Sequence, residues 1–251
     1  MENKPKGTDV REMPFLDHLE ELRWRLIKSI AAIVLSAIAV YFFSDKVLSL
    51  LIRPYNLAAE NLQKTNVQRL IFLTPTGGFM IRIKLSIFVG ILISLPVIFY
   101  QVWKFVVPGL LQKERKYVPV VVLFSTFCFL TGALFCYLVV LRYGLRFLLS
   151  FETADLAATI SVNEYLQFVT MLILVFGLVF ELPVLSFFLT KIGLLTPPFL
   201  RHYRRHGIVI MVILAAMITP PDVFTQVLLA GPLIMLYEIS ILVSKIAVRK
   251  S

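Results

Sequence analysis

Five acidic residues stand in places where a solvated surface charge would be unusual. Glu20 and Glu21 lie in "FLDHLEELRWRL", just ahead of a long apolar run, and Glu114 lies in "LLQKER" between two later runs. Glu181 is the single charge in "LVFGLVFELPVLSFFL", and Glu238 falls inside the last apolar stretch. A lone carboxylate in hydrocarbon costs roughly 3 kcal/mol or more, so such a group normally faces a cavity, a partner or a substrate path. A carboxylate at the membrane surface has a different use. It accepts paired hydrogen bonds from a guanidinium, a geometry that lysine cannot reproduce. Glu21 and Glu114 could thus form a receptor for an arginine-bearing ligand, or be neutralised by Arg23, Arg25, Lys113 and Arg115 beside them. Glu181 could line a water-accessible cavity, or sit neutral and hydrogen-bonded within a bundle.

The elements that must position these groups are membrane helices. The 251 residues are 59% hydrophobic and only 16% charged, with 21 Phe, too little polar surface for a soluble domain of this length. The fold class is therefore an all-α integral membrane protein, a single membrane domain over residues 1–251. Apolar runs cover 26–43, 85–107, 118–141, 165–190, 207–218 and 223–243. Each of the first four is long enough, at about 20 residues, to cross a bilayer about 30 Å thick. The fifth run ends at "TPPD" and gives about 18 Å of helix, which requires a thinned bilayer or a short hairpin with its neighbour. Six transmembrane helices are expected, the fifth and sixth short.

Bases near the span ends set the orientation. Lys4, Arg23, Arg25, Lys113, Arg201 and Lys245, with their basic neighbours, fall on one side, which places both termini in the cytoplasm. Residues 1–25 form a cytoplasmic N-terminal segment, too charged and too long to begin a cleavable signal peptide. Residues 44–78 are expected as an outer-face (periplasmic) cap, either short amphipathic helices or a plain connecting loop. Pro96, Pro108, Pro119, Pro183, Pro220, Pro221 and Pro232 suggest helices bent around a concavity. Much of the net charge of +10 is a topology signal and an attraction to anionic lipid, and no aromatic-basic interleaving suggests nucleic acid.

Several other classes fit poorly. A proton-coupled solute transporter also wants an intramembrane carboxylate near a proline-broken helix, but normally adds a second midplane polar group and an internal repeat. "EELRWR" fits the E-E-x-x-x-R pattern of membrane-embedded proteases, yet His18, His202 and His206 all fall at membrane edges. His18 with Asp17 and Glu21 could in principle chelate a metal, but surface helix charges explain these residues better. No enzyme, metal or cofactor is expected, and there is no G-x-x-x-x-G-K-[ST] nucleotide loop. Cys128 and Cys136, about 12 Å apart along one helix, read as small apolar packers.

Four segments in order, "HLEELRWRL", "LPVIFYQVWKFVVPGLLQKER", "FGLVFELPV" and "TPPDVFTQ", make the chain resemble the TatC family over nearly its whole length. TatC is the multispanning core of the twin-arginine protein translocase. The resemblance implies six helices in a curved, glove-like arrangement with both termini cytoplasmic, in the bacterial inner membrane. It implies that Glu21 and Glu114 engage the paired arginines of a signal peptide, with Arg23, Gln101 and Phe105 shaping that site. Glu181 would face the concave cavity. Pro54 would belong to the outer cap, and Asp222 and Gln226 to the loop and helix start after the fifth span. Lys104, beside Phe105, is a departure that could weaken the attraction for arginines or pair with Glu114. The implied partners are twin-arginine signal peptides of folded passengers, single-span proteins of TatA and TatB type, anionic lipids and further copies of the chain. The implied energy source is the proton-motive force.

Overall fold

The computed structural model describes residues 15–61, 70–106, 118–151, 159–218 and 223–249. The first span is α1 (Phe15–Tyr41), which packs along α3 (Gly77–Val106), the second span. Small residues let the two approach closely. A Cβ added to Gly90 would lie 2.9 Å from the Ala37 backbone nitrogen, and the Ser94 hydroxyl donates to Ser36 Oγ at 3.0 Å. The other face of α1 is uncovered by the described residues: Leu26, Ile30, Val34, Leu35 and Ile38 are all exposed. Lipid is the solvent that tolerates such a surface.

Between these spans, α2 (Ser44–Asn61) is one continuous amphipathic helix. It runs through Pro54, which cannot donate to the Leu50 carbonyl one turn back. The Tyr137 hydroxyl donates to that carbonyl instead, at 2.8 Å, and Tyr165 likewise bonds the Leu51 carbonyl at 2.8 Å. Asp45 pairs with Arg82 of α3 at 2.9 Å. The alternative of a plain loop over this stretch therefore falls away for residues 44–61.

The third span is α4 (Val118–Phe135), a π-helical turn (Cys136–Val140) and α5 (Leu141–Ser150). The extra residue in the turn, closed by the Leu141 N–H on the Cys136 carbonyl, coincides with the stretch that carries Tyr137 to α2. The fourth span is divided into α6 (Val162–Val179) and α7 (Leu182–Lys191). Pro183 lies in the first turn of α7, where its missing N–H is harmless, and the chain restarts as a helix there. Gly132 of α4 and Gly177 of α6 make this crossing tight, since a Cβ on Gly132 would lie 2.7 Å from the Phe176 carbonyl oxygen.

A short α8 (Pro197–His202), capped by Thr196, leads into α9 (Arg204–Ile218), the 15-residue fifth span. The sixth, α10 (Val223–Arg249), has 27 residues and runs beyond the apolar stretch ending at 243, so of the two helices expected to be short only the fifth is. Its polar C-terminal turns, with Lys245, carry the helix past the apolar window.

The spans alternate in direction. One end of the bundle, here called proximal, gathers the start of α1, the end of α3, the start of α4 and the end of α7. A small apolar cluster of Trp103, Val118, Val121 and Phe188 closes it. The larger core, with Tyr55, Leu85, Leu141, Tyr165 and Phe176 buried, fills the middle and the distal end. There an isolated bridge between Ile71 and Ser161 ties the approach to α3 onto the start of α6.

Candidate functional site

At the proximal end, His18, Glu21 and Arg25 recur at helical spacing and so share one face of α1. Arg25 binds Glu21 Oε1 through both Nε, at 3.0 Å, and a terminal guanidinium nitrogen. The other carboxylate oxygen, Oε2, is buried without a hydrogen-bond partner, and His18 Nδ1 lies 3.9 Å from it. The His18 ring stacks on Phe105 of α3, centroids 4.3 Å apart and 16° from parallel. That stack ties the two helix ends into one half-exposed surface.

Of the residues expected there, the structure brings Glu21 and Phe105 together, with Gln101 one turn before Phe105 on the same face of α3 and half-buried. Arg23 lies two positions from Glu21, on a different face of α1, and is exposed. Lys104 reaches over the Tyr100 ring, 5.5 Å from its centroid. Glu114 and Asp222 lie outside the described residues. His18 was read from the sequence only as a poor metal candidate, yet it links α1 to the Phe105 position. No spacing signal marks that contact, because the two residues are far apart in sequence.

Glu181 forms a second polar centre at the break between α6 and α7. It is 5% exposed, and its carboxylate meets the Ser125 hydroxyl and the Phe129 backbone of α4. Oε1 is left without a partner. The Trp103 indole N–H of α3 donates to the same Ser125 Oγ at 3.4 Å, and its ring packs edge-on against Phe188, centroids 4.3 Å apart. Trp103 and Ser125, neither singled out by sequence, thus join Glu181 to the end of α3 that carries Phe105. Pro54 is buried far away in α2, and Gln226 is half-buried in the first turns of α10. Glu238 is accounted for more simply: it meets Arg204 of α9 as an ion pair, while Tyr237 donates to the Leu200 carbonyl at 2.9 Å. Among the described residues, no group of His, Cys, Asp or Glu is placed to hold a metal.

Among the described residues, five helices long and apolar enough to cross a membrane, with a shorter sixth, define a multi-pass membrane protein. Residues 17–232 match the family model described as "Sec-independent protein translocase protein (TatC)". A TatC of Aquifex aeolicus (strain VF5) is 42% identical over 95% of this chain and 97% of its own length. One from Desulforapulum autotrophicum is 39% identical over 94% of this chain and 86% of its own. A crystal structure of the twin-arginine translocase receptor TatC superposes with a TM-score of 0.80 at 41% identity, covering 92% of this chain and 99% of that one. The chain belongs to the TatC family and is a component of the twin-arginine protein translocase. That membership sets aside the reading as a solute transporter and the reading as an enzyme.

Proposed function

We propose that this chain is the signal-peptide receptor and scaffold of its translocase, and that the proximal end is its cytoplasmic docking face. The observation that carries this reading is the half-satisfied Glu21: one oxygen holds Arg25, while the other is buried, unbonded and beside the His18–Phe105 stack. A buried carboxylate oxygen without a donor is costly, and a guanidinium supplies what is missing in paired geometry. Glu114 joins the same site from the segment after α3, and Arg23 and Gln101 border it. The apolar part of the peptide then runs along the bundle toward Glu181, the polar contact for a peptide or a partner's helix, with Gln226 and Asp222 at the far end of that path.

The surrounding assignments follow from charge and family. The bases crowding the proximal end support cytoplasmic termini in a bacterial inner membrane. Residues 44–78, with Pro54, then cap the outer face. TatA- and TatB-type single-span proteins and further copies of this chain complete the translocase, and the proton-motive force drives it. The test is a photoreactive phenylalanine analogue placed at Phe105 in the full-length protein. Illumination should capture an Arg-Arg signal peptide there and not at Gly144. Equal capture at both positions, or none at Phe105, would sink the docking site.

A further inference from the structure

A cavity of about 620 Å³ opens between α4, α7 and α10. Its walls are apolar, formed by Val120, Phe124, Val184, Phe187, Phe188 and Val243, and among the described residues the one charged residue lining it is Lys191. Lys191 closes α7 at the proximal end, whereas Cys128 and Pro183 line the other extremity, beside Glu181. The ten residues of α7 rise about 15 Å. That is half of a hydrocarbon core about 30 Å thick, so the groove runs from one membrane face to the midplane. This is the depth of one lipid leaflet. A spanning helix of a partner would need the full thickness, and the groove stops at Glu181.

We propose that the groove is a binding site for an anionic phospholipid, one acyl chain lying along α7 and the phosphate at Lys191. Charge favours this occupant: Arg201, Arg205 and Lys245 stand at the same end, and basic pockets at helix ends select anionic headgroups. The chain tip ends at Cys128 and so excludes water from the approach to Glu181. The site shares no residue with the Glu21 cluster and stands or falls independently of signal-peptide docking.

The chain carries its own reporter. Trp103 packs on Phe188, which lines the groove, and the other tryptophan, Trp24, is exposed on α1. Trp24→Phe protein should be reconstituted in phosphatidylcholine vesicles containing phosphatidylglycerol or phosphatidylcholine brominated near mid-chain, and Trp103 fluorescence recorded. Quenching should show phosphatidylglycerol bound about fivefold more tightly, the equivalent of about 1 kcal/mol for one lysine. Lys191→Gln should bring the two lipids close to parity, while Lys104→Gln, at the same end but outside the groove, should keep the fivefold preference. Val184→Phe should reduce quenching by both lipids by filling the groove. The proposal is overturned if the two lipids quench alike in the parent protein, if Lys104→Gln and Lys191→Gln act equally, or if Val184→Phe changes nothing.

Discussion

Replacing Ser125 with alanine should reveal how firmly Glu181 is held. The hydroxyl serves two buried groups at once, accepting from the Trp103 indole N–H at 3.4 Å and meeting the Glu181 carboxylate. Orphaning a buried polar group costs about 1–3 kcal/mol in a soluble protein. Between membrane helices the measured contribution is smaller, about 0.6 kcal/mol on average and about 1.7 at most, because the unfolded helices find other partners in the membrane. The indole contact is long and should contribute little. Most of the loss therefore belongs to Glu181: Ser125→Ala should cost about 1.5 kcal/mol in the parent protein and about 0.5 in a Glu181→Leu background, a coupling of about 1. Reversible SDS-driven unfolding in mixed micelles, followed by circular dichroism, measures both. An equal cost in the two backgrounds would mean that Ser125 does not position Glu181, and the link from α3 to the buried carboxylate would be withdrawn.

Two further outcomes are expected. Gly132→Ala should destabilise by about 1–3 kcal/mol, because the obstacle to its Cβ is the Phe176 backbone, whereas Gly144→Ala meets nothing and should be neutral or gain up to about 1 kcal/mol; equal shifts in the same unfolding assay would contradict the close α4–α6 crossing. Arg25→Gln should strengthen binding of an Arg-Arg signal peptide about twofold, since an i, i+4 pair on a helix contributes about 0.3–0.5 kcal/mol and Arg25 competes for Glu21; weaker binding, read by fluorescence anisotropy, would make Arg25 part of the receptor instead.

The spans were legible because a long apolar run has few alternatives once it must satisfy its own backbone in lipid. What the sequence left open lies in contacts between elements. Residues 44–61 could read as short helices or a loop, and one continuous helix runs through Pro54 with Tyr137, 83 positions later, supplying a donor to the carbonyl that proline cannot reach. Pro183 suggested a bend in the fourth span, whereas the break at Glu181, its partner Ser125 and the Trp103 indole behind Ser125 depend on other helices, at positions with no distinguishing pattern. The length of α10 was underestimated because its last turns are polar, and hydropathy marks where lipid ends, not where hydrogen bonding ends. At the proximal end, residue type pointed to Glu21, but only packing shows that His18 and Phe105 hold the surface beside it.

The most direct test of the receptor assignment is the affinity of the purified full-length protein for a labelled signal peptide in Arg-Arg and Lys-Lys forms, each measured with the parent chain and with Glu21→Gln. Loss of a paired, charge-assisted contact costs about 1.5–3 kcal/mol, so Lys-Lys should bind the parent roughly ten- to a hundredfold more weakly. Glu21→Gln should weaken Arg-Arg binding by the same order and shrink the difference between the peptides. If the parent binds both peptides alike, or Glu21→Gln binds Arg-Arg as tightly as the parent does, Glu21 is an ordinary helix-end charge and the docking site lies elsewhere.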